Sequence, residues 1–177
     1  MRKLLNRELD RKTIEQFRKT EKAPFIIVLD NVRSRSNVGS IFRTADAFLT
    51  EAIYLCGITS SPPNREIQKT ALGATESVIW KYFSETSAAI NELKEKGYKI
   101  IAVEQAEGSV ELQNLQLESD RKYALVFGHE VNGVEQEIVN LCDMCVEIPQ
   151  FGTKHSFNIA ISVGIVLWEV NKKVVSF

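Results

Sequence analysis

Short, almost wholly apolar runs alternate with amphipathic segments along this chain, and that alternation constrains its fold more than any other feature. PFIIVLD (24–30), EAIYLCG (51–57), SVIWKYF (77–83), KIIAVEQ (99–105), KYALVFG (122–128) and CVEIPQ (145–150) read as strands. Helices are expected over SNVGSIFRTADAF (36–48), SETSAAINELKEKGY (84–98, from a serine cap to Gly97), VEQEIVNLCD (134–143) and HSFNIAISVGIVLWEVNKK (155–173). Strands apolar on both faces belong to a sheet covered on both sides, so the fold class is α/β, a parallel-sheet α/β/α sandwich in a single domain. The stretch 59–77, with Pro62 and Pro63, reads as loop-rich. Ligands of such folds bind beyond the carboxyl ends of the strands. The segments to search are therefore 30–43, 56–75, 104–110, 128–133 and 149–158.

The 177 residues suffice for one domain with a real core, and 44% of them are hydrophobic, which excludes disorder as the main state. No run of about 18 apolar residues occurs, so no membrane span is expected. The start, MRKLLNRELDRK, lacks a secretory signal. With only Cys56, Cys142 and Cys145, a disulfide framework is excluded and a cytoplasmic protein is expected. Cys142 and Cys145 form a C-x-x-C without the further ligands at paired spacing that zinc needs, so they read as small apolar residues near a helix-to-strand junction.

The formal charge of −1 argues at first against a nucleic-acid ligand, but the charges are segregated. Residues 1–22 carry eight basic and four acidic side chains, whereas 123–153 carry five acids and no Lys or Arg. Leu5, Leu9, Ile14 and Phe17 recur at roughly helical spacing, so 1–22 is expected to be a basic amphipathic helical extension, ended by Pro24, on a domain spanning 23–177. Such a helix serves either as an RNA-binding face or as a packed terminal helix. Local field rather than total charge steers a polyanion.

Several familiar chemistries fail on spacing. No G-x-G-x-x-G follows a strand, and Gly128-x4-Gly133 continues Val134-Glu135 where a P-loop needs Lys-Ser/Thr. His129-Glu130 opens like H-E-x-x-H, but the fifth position is Gly133. No G-x-S-x-G occurs.

Three segments remain: NVRSRSNVGSIFRTA (31–45), LVFGHEVNGV (125–134) and IPQFGTKHSFNIA (148–160). Arg43 falls on the helix after the first strand, where an arginine can hold phosphate bidentately. Asn37 can hold an arginine or a ribose, or cap a helix. Glu130 follows a strand end and can accept from Arg43 or Asn37. Ser156 and Asn158 stand in a turn into the last helix, where Ser156 can also be its N-cap.

In order and spacing these segments closely resemble the three motifs of the SpoU/TrmH branch of the SPOUT RNA methyltransferases, over about Pro24 to Lys172. The resemblance implies an S-adenosyl-L-methionine (AdoMet)-dependent transfer of methyl to a ribose 2′-hydroxyl of tRNA or rRNA, without metal. It also implies a C-terminal trefoil knot and a homodimer whose active site joins two subunits. The catalytic set it implies is Arg43, Asn37, Glu130, Ser156 and Asn158, with AdoMet contacts at Val103, Glu104, Gly128, Ile148 and Phe157. Arg43 is the proposed base in that family, although a guanidinium is a poor base and more easily binds phosphate and orients the hydroxyl. Arg11, Arg33, Arg35 and Lys154 are the candidate RNA contacts. tRNA is favoured over rRNA because no accessory RNA-binding domain is evident. The alternative is a non-catalytic RNA-binding or AdoMet-binding dimer that keeps the knot pocket. The chain departs from the pattern at Leu49, where glycine is usual, at Phe157 in place of leucine, and at Gln150 in place of methionine.

Overall fold

A computed structural model describes residues 1–174, apart from the side chain of Asn6, so the last three residues of the expected 23–177 domain lie outside the described residues. The strands are β1 (Ala23–Asp30), β2 (Thr50–Cys56), β3 (Trp80–Phe83), β4 (Lys99–Val103), β5 (Val110–Glu111), β6 (Tyr123–Phe127) and β7 (Met144–Glu147). The α-helices are α1 (Ile14–Lys19), α2 (Arg35–Ala47), α3 (Arg65–Ala71), α4 (Ala74–Ser77), α5 (Thr86–Glu95), α6 (Gln136–Leu141) and α7 (Ile159–Val174). Among the described residues the strands form one sheet in the order β3-β2-β1-β6-β4-β7-β5, with every pairing parallel. The expected α/β sandwich is what forms.

Alternation along β1 explains the two layers. Phe25, Ile27 and Leu29 join a core cluster with Ile41 and Phe42 of α2 and Val163 and Leu167 of α7. Ile26 and Val28 point the other way, into a second cluster with Ile90 and Leu93 of α5 and Ile138 of α6. β1 pairs with β2 on one side and β6 on the other, so the ends of β1 and β6 lie side by side at the centre of the sheet.

Four expectations change. Residues 1–22 form no single helix: a 3-10 turn at Asn6–Glu8 and the six-residue α1 are separated by Asp10 at φ 43°. Leu5, Leu9 and Ile14 are exposed and only Phe17 is buried, because isolated short helices are marginal without a surface to pack on. The stretch 59–77 contains α3 and α4, with Asn64 capping α3 through the amides of Glu66 and Ile67. Helix α5 starts after Glu85, with no side-chain cap from Ser84. Helix α7 starts at Ile159 rather than near His155, and Asn158 Oδ1 accepts the amide of Ala160 at 2.9 Å, so Asn158 and not Ser156 caps it.

Leu49, standing where the family pattern has glycine, sits at φ 52°. The backbone there does need the left-handed region. Its side chain is partly buried against the core, which offsets some of that cost.

Candidate active site

The loop after β6 and the start of α2 meet across the carboxyl ends of the central strands. Helix α2 is capped by Ser34, whose side chain accepts the amide of Asn37 at 3.3 Å. Asn37 is therefore a third-position residue and not the cap. Its side chain instead joins a polar chain. Asn158 Nδ2 donates to Asn37 Oδ1 at 3.1 Å, and Asn37 Nδ2 donates to Glu130 Oε1 at 3.2 Å. Glu130 also accepts the amides of Arg33 at 3.0 Å and Ser34 at 2.8 Å. Burial opposes the charge on Glu130, but the Ser34 and Arg33 amides and Asn37 outweigh it and hold the carboxyl below its ordinary range. An anion at a helix start is also favoured by the free amides and dipole there.

Val103, Glu104, Gly128, Glu130, Ile148, Ser156 and Phe157 line one cleft between the ends of β4, β6 and β7 and the turn into α7. All five expected cofactor contacts are thus brought together. Glu104 is also structural: its carboxylate accepts the amides of Gln105 at 2.8 Å and Val134 at 3.0 Å. The glycines set the clearances. A Cβ on Gly128 would lie 2.0 Å from the Gly133 carbonyl carbon, and one on Gly133, at φ 70°, would lie 2.1 Å from Glu104 Oε2. Backbone therefore packs on backbone where a side chain would fill the space. Apolar Val103, Ile148 and Phe157 share this cleft with polar Gln105 and Glu104, a lining that suits a flat heterocycle carrying a ribose.

Arg43 lies elsewhere. Six residues beyond Asn37 on α2, it is displaced about 9 Å along the axis and turned roughly 240° around it. It is exposed and lines a separate groove with Arg11, Lys12, Asp46 and Leu72. Of the two donors expected for Glu130, Asn37 reaches it and Arg43, on the groove side of α2, does not. Of the candidate RNA contacts, Arg11 stands beside Arg43, and Lys154 is exposed on the turn before α7. Arg33 projects from the exposed loop before α2. Arg35 bonds Ser60 at 3.2 Å and Glu66 at 3.4 Å, which ties it to the neighbouring loop and α3.

Sequence reasoning missed Ser34, His129 and Asp30. Asp30, 1% exposed at the end of β1, accepts from Thr86 at 2.6 Å and from the amide of Glu135 at 3.2 Å. An acid closing an apolar strand was the signal available for it. The three cysteines are free thiols, and burial pushes those of Cys56 and Cys142 up to about 12. Cys142 and Cys145 are half-buried where α6 gives way to β7, the helix-to-strand junction the sequence suggested.

The sequence profile of the SpoU rRNA Methylase family matches residues 24–168. The chain belongs to this family. It is 34% identical over 150 residues to the 23S rRNA (guanosine-2′-O-)-methyltransferase RlmB of Neisseria meningitidis, covering 85% of this chain and 59% of that protein. It is 30% identical over 162 residues to an uncharacterized tRNA/rRNA methyltransferase of Borreliella burgdorferi, covering 90% and 68%. Among solved structures, the AdoMet-bound rRNA methyltransferase of Sinorhizobium meliloti superposes with a TM-score of 0.80 at 28% identity, over 90% of this chain and 61% of the other. The A. aeolicus TrmH/SpoU tRNA modifying enzyme gives 0.78 at 26% identity, over 90% and 81%. The SPOUT-type α/β fold is thereby established. The chain spans about three fifths of the Neisseria protein. Among the described residues no helix is long and apolar enough to cross a membrane, and no three metal-binding side chains converge.

Proposed function

We propose that the protein transfers a methyl group from AdoMet to a ribose 2′-hydroxyl of RNA. The observation that carries this reading is the cleft itself, where Val103, Glu104, Gly128, Ile148 and Phe157 converge beside the Asn158–Asn37–Glu130 chain. Family membership and the AdoMet-bound Sinorhizobium relative support it. Bound AdoMet would supply the methyl on a sulfonium. The protein's own work is alignment and proton handling. Val103, Ile148 and Phe157 hold the flat base, and Gly128 and Gly133 let the loop after β6 pack closely on itself and on Glu104 to form the cleft wall. Arg43 binds the RNA phosphate and orients the hydroxyl; a guanidinium is too weak a base to take its proton unaided. The C-terminal trefoil knot belongs to the same reading, and the parallel sheet order agrees with it.

A homodimer completes the site in this proposal. Arg43 lies outside its own chain's cleft, so a second copy must bring its Arg43 to it. Helix α7 packs on α2 and presents Ile161, 55% exposed, and Trp168, 56% exposed, on one face. That is an apolar surface suited to burial against another copy.

The decisive experiment is incorporation of labelled methyl from AdoMet into unmodified tRNA and, separately, unmodified rRNA, with Arg43→Ala alongside. The expected result is 2′-O-methylnucleotide from one RNA class, tRNA being the expectation from sequence, and its loss in Arg43→Ala with AdoMet binding kept. Label in neither RNA overturns the enzymatic reading. Label that persists in Arg43→Ala overturns the role of Arg43.

A further inference from the structure

Glu130 is the second residue of a five-residue loop whose ends are closed by two backbone hydrogen bonds, His129 N to Gly133 O at 2.9 Å and Gly133 N to His129 O at 2.8 Å. Beyond Gly133 the chain is anchored by Glu104, which accepts the amide of Val134 at 3.0 Å. These contacts fix the base of the loop and leave its tip to be held by something else. The holder is the ring of His129. Its Nδ1 accepts the amides of Val131 at 3.0 Å and Asn132 at 3.3 Å, on the far side of Glu130. An acceptor Nδ1 places the ring proton on Nε2. Val131 is 79% exposed, so no packing fixes the tip in place of these bonds.

We propose that His129 is a positioning residue: by gathering the Val131 and Asn132 amides on Nδ1, it fixes the tip that aims Glu130 at the start of α2. Glu130 meets three donors at once, the amides of Arg33 and Ser34 and the side chain of Asn37, and these lie 93 to 97 residues away in sequence. Such a three-point contact tolerates little rotation of the tip, because hydrogen bonds weaken steeply with angle. Through Glu130, His129 therefore sets how the cofactor-side loop meets the helix that carries Arg43. Its value to methyl transfer rests on the function proposed above, whereas its hold on the loop does not.

The chemistry names its own substitute. Nδ1 of histidine is two bonds from Cβ, as is Oδ1 of asparagine, so His129→Asn keeps an acceptor at the same place. His129→Gln puts it one bond too far, and His129→Ala has none. The test is amide hydrogen exchange on the full chain, with methyl transfer measured in parallel and the β6 amides as the check that the fold is intact. In His129→Ala and His129→Gln the amides of Val131 and Asn132 exchange faster, and so do those of Arg33 and Ser34. The kcat of both variants falls about 10- to 100-fold while KM for AdoMet moves far less. His129→Asn restores exchange and kcat together. Unchanged exchange at Arg33 and Ser34 in His129→Ala overturns the proposal, and so does an Asn variant as impaired as Ala. If the unaltered protein methylates no RNA, the proposed function fails, and exchange alone still decides the role of His129.

Discussion

The Glu130 carboxylate accepts the backbone amide of Ser34 at 2.8 Å, joining two motifs 96 residues apart. One carboxylate thus ties the backbone leading into the helix that carries Arg43 to the wall of the cleft. This makes Glu130 a group that organises the site, and of the two donors the sequence offered it, Arg43 and Asn37, it takes Asn37.

The charge on Glu130 makes that link sensitive to acid. Its folded pKa is lowered, so its stabilisation is present above the unfolded value and is lost as pH falls through the lower folded value. Glu130→Gln is expected to cost about 1 kcal/mol at pH 7, because the amide keeps one acceptor oxygen but loses the charge that strengthens these bonds. The difference from the unaltered protein should shrink as pH falls through the lowered folded value. Urea unfolding of both proteins over a pH series descending from 7 measures it, and a gap that does not narrow on acidification contradicts the account.

Gly128 should tolerate no side chain. In Gly128→Ala the new methyl would meet the Gly133 backbone at 2.0 Å, so the loop must move out of register with Glu104 and Glu130. We expect AdoMet binding to be lost by calorimetry. Gly152→Ala, with nothing within 4 Å of its Cβ, should bind as before.

Leu72 is held at φ 49° at the end of α3, 66% exposed, with a left-handed backbone and little packing in return. Leu72→Gly should raise stability by up to about 1 kcal/mol, because glycine adopts this conformation without the Cβ penalty. In a domain of this size that is a rise in Tm of about 2–4 °C. A lower Tm would show that Leu72 is packed in solution.

The groove beside Arg43 predicts how RNA binding responds to salt. Arg11→Ala and Lys12→Ala should each weaken binding and lower the slope of log affinity against log salt by about 1. AdoMet affinity should be unaltered in both. Point variants are better than removing residues 1–22, because Phe17 is 4% exposed and belongs to the core. Unchanged slopes would assign 1–22 to packing alone.

If the face of α7 is a self-association surface, Ile161→Asp should convert dimer to monomer in sedimentation and abolish methyl transfer, with AdoMet still bound. A protein that is monomeric and active before substitution would refute the shared site.

The sequence by itself determined the sandwich. Apolar residues on both faces of PFIIVLD and KYALVFG admit only a covered, parallel arrangement, and Phe25 and Ile26 do enter opposite cores. Which residues surround the cleft came from the resemblance of three motifs: Val103, Glu104, Gly128, Ile148 and Phe157 all line it, in the region beyond the strand ends where ligands of parallel sheets bind. The pairings across the site were decided by the tertiary structure. Spacing along a chain does not say which of several donors reaches a carboxylate, so Glu130 went to Ser34, Arg33 and Asn37 and left Arg43 in its own groove. The terminal extension shows the same limit from the other side. Its periodic Leu5, Leu9, Ile14 and Phe17 promised a helix, but an amphipathic stripe becomes one only where a surface waits to bury it, and only Phe17 found that surface.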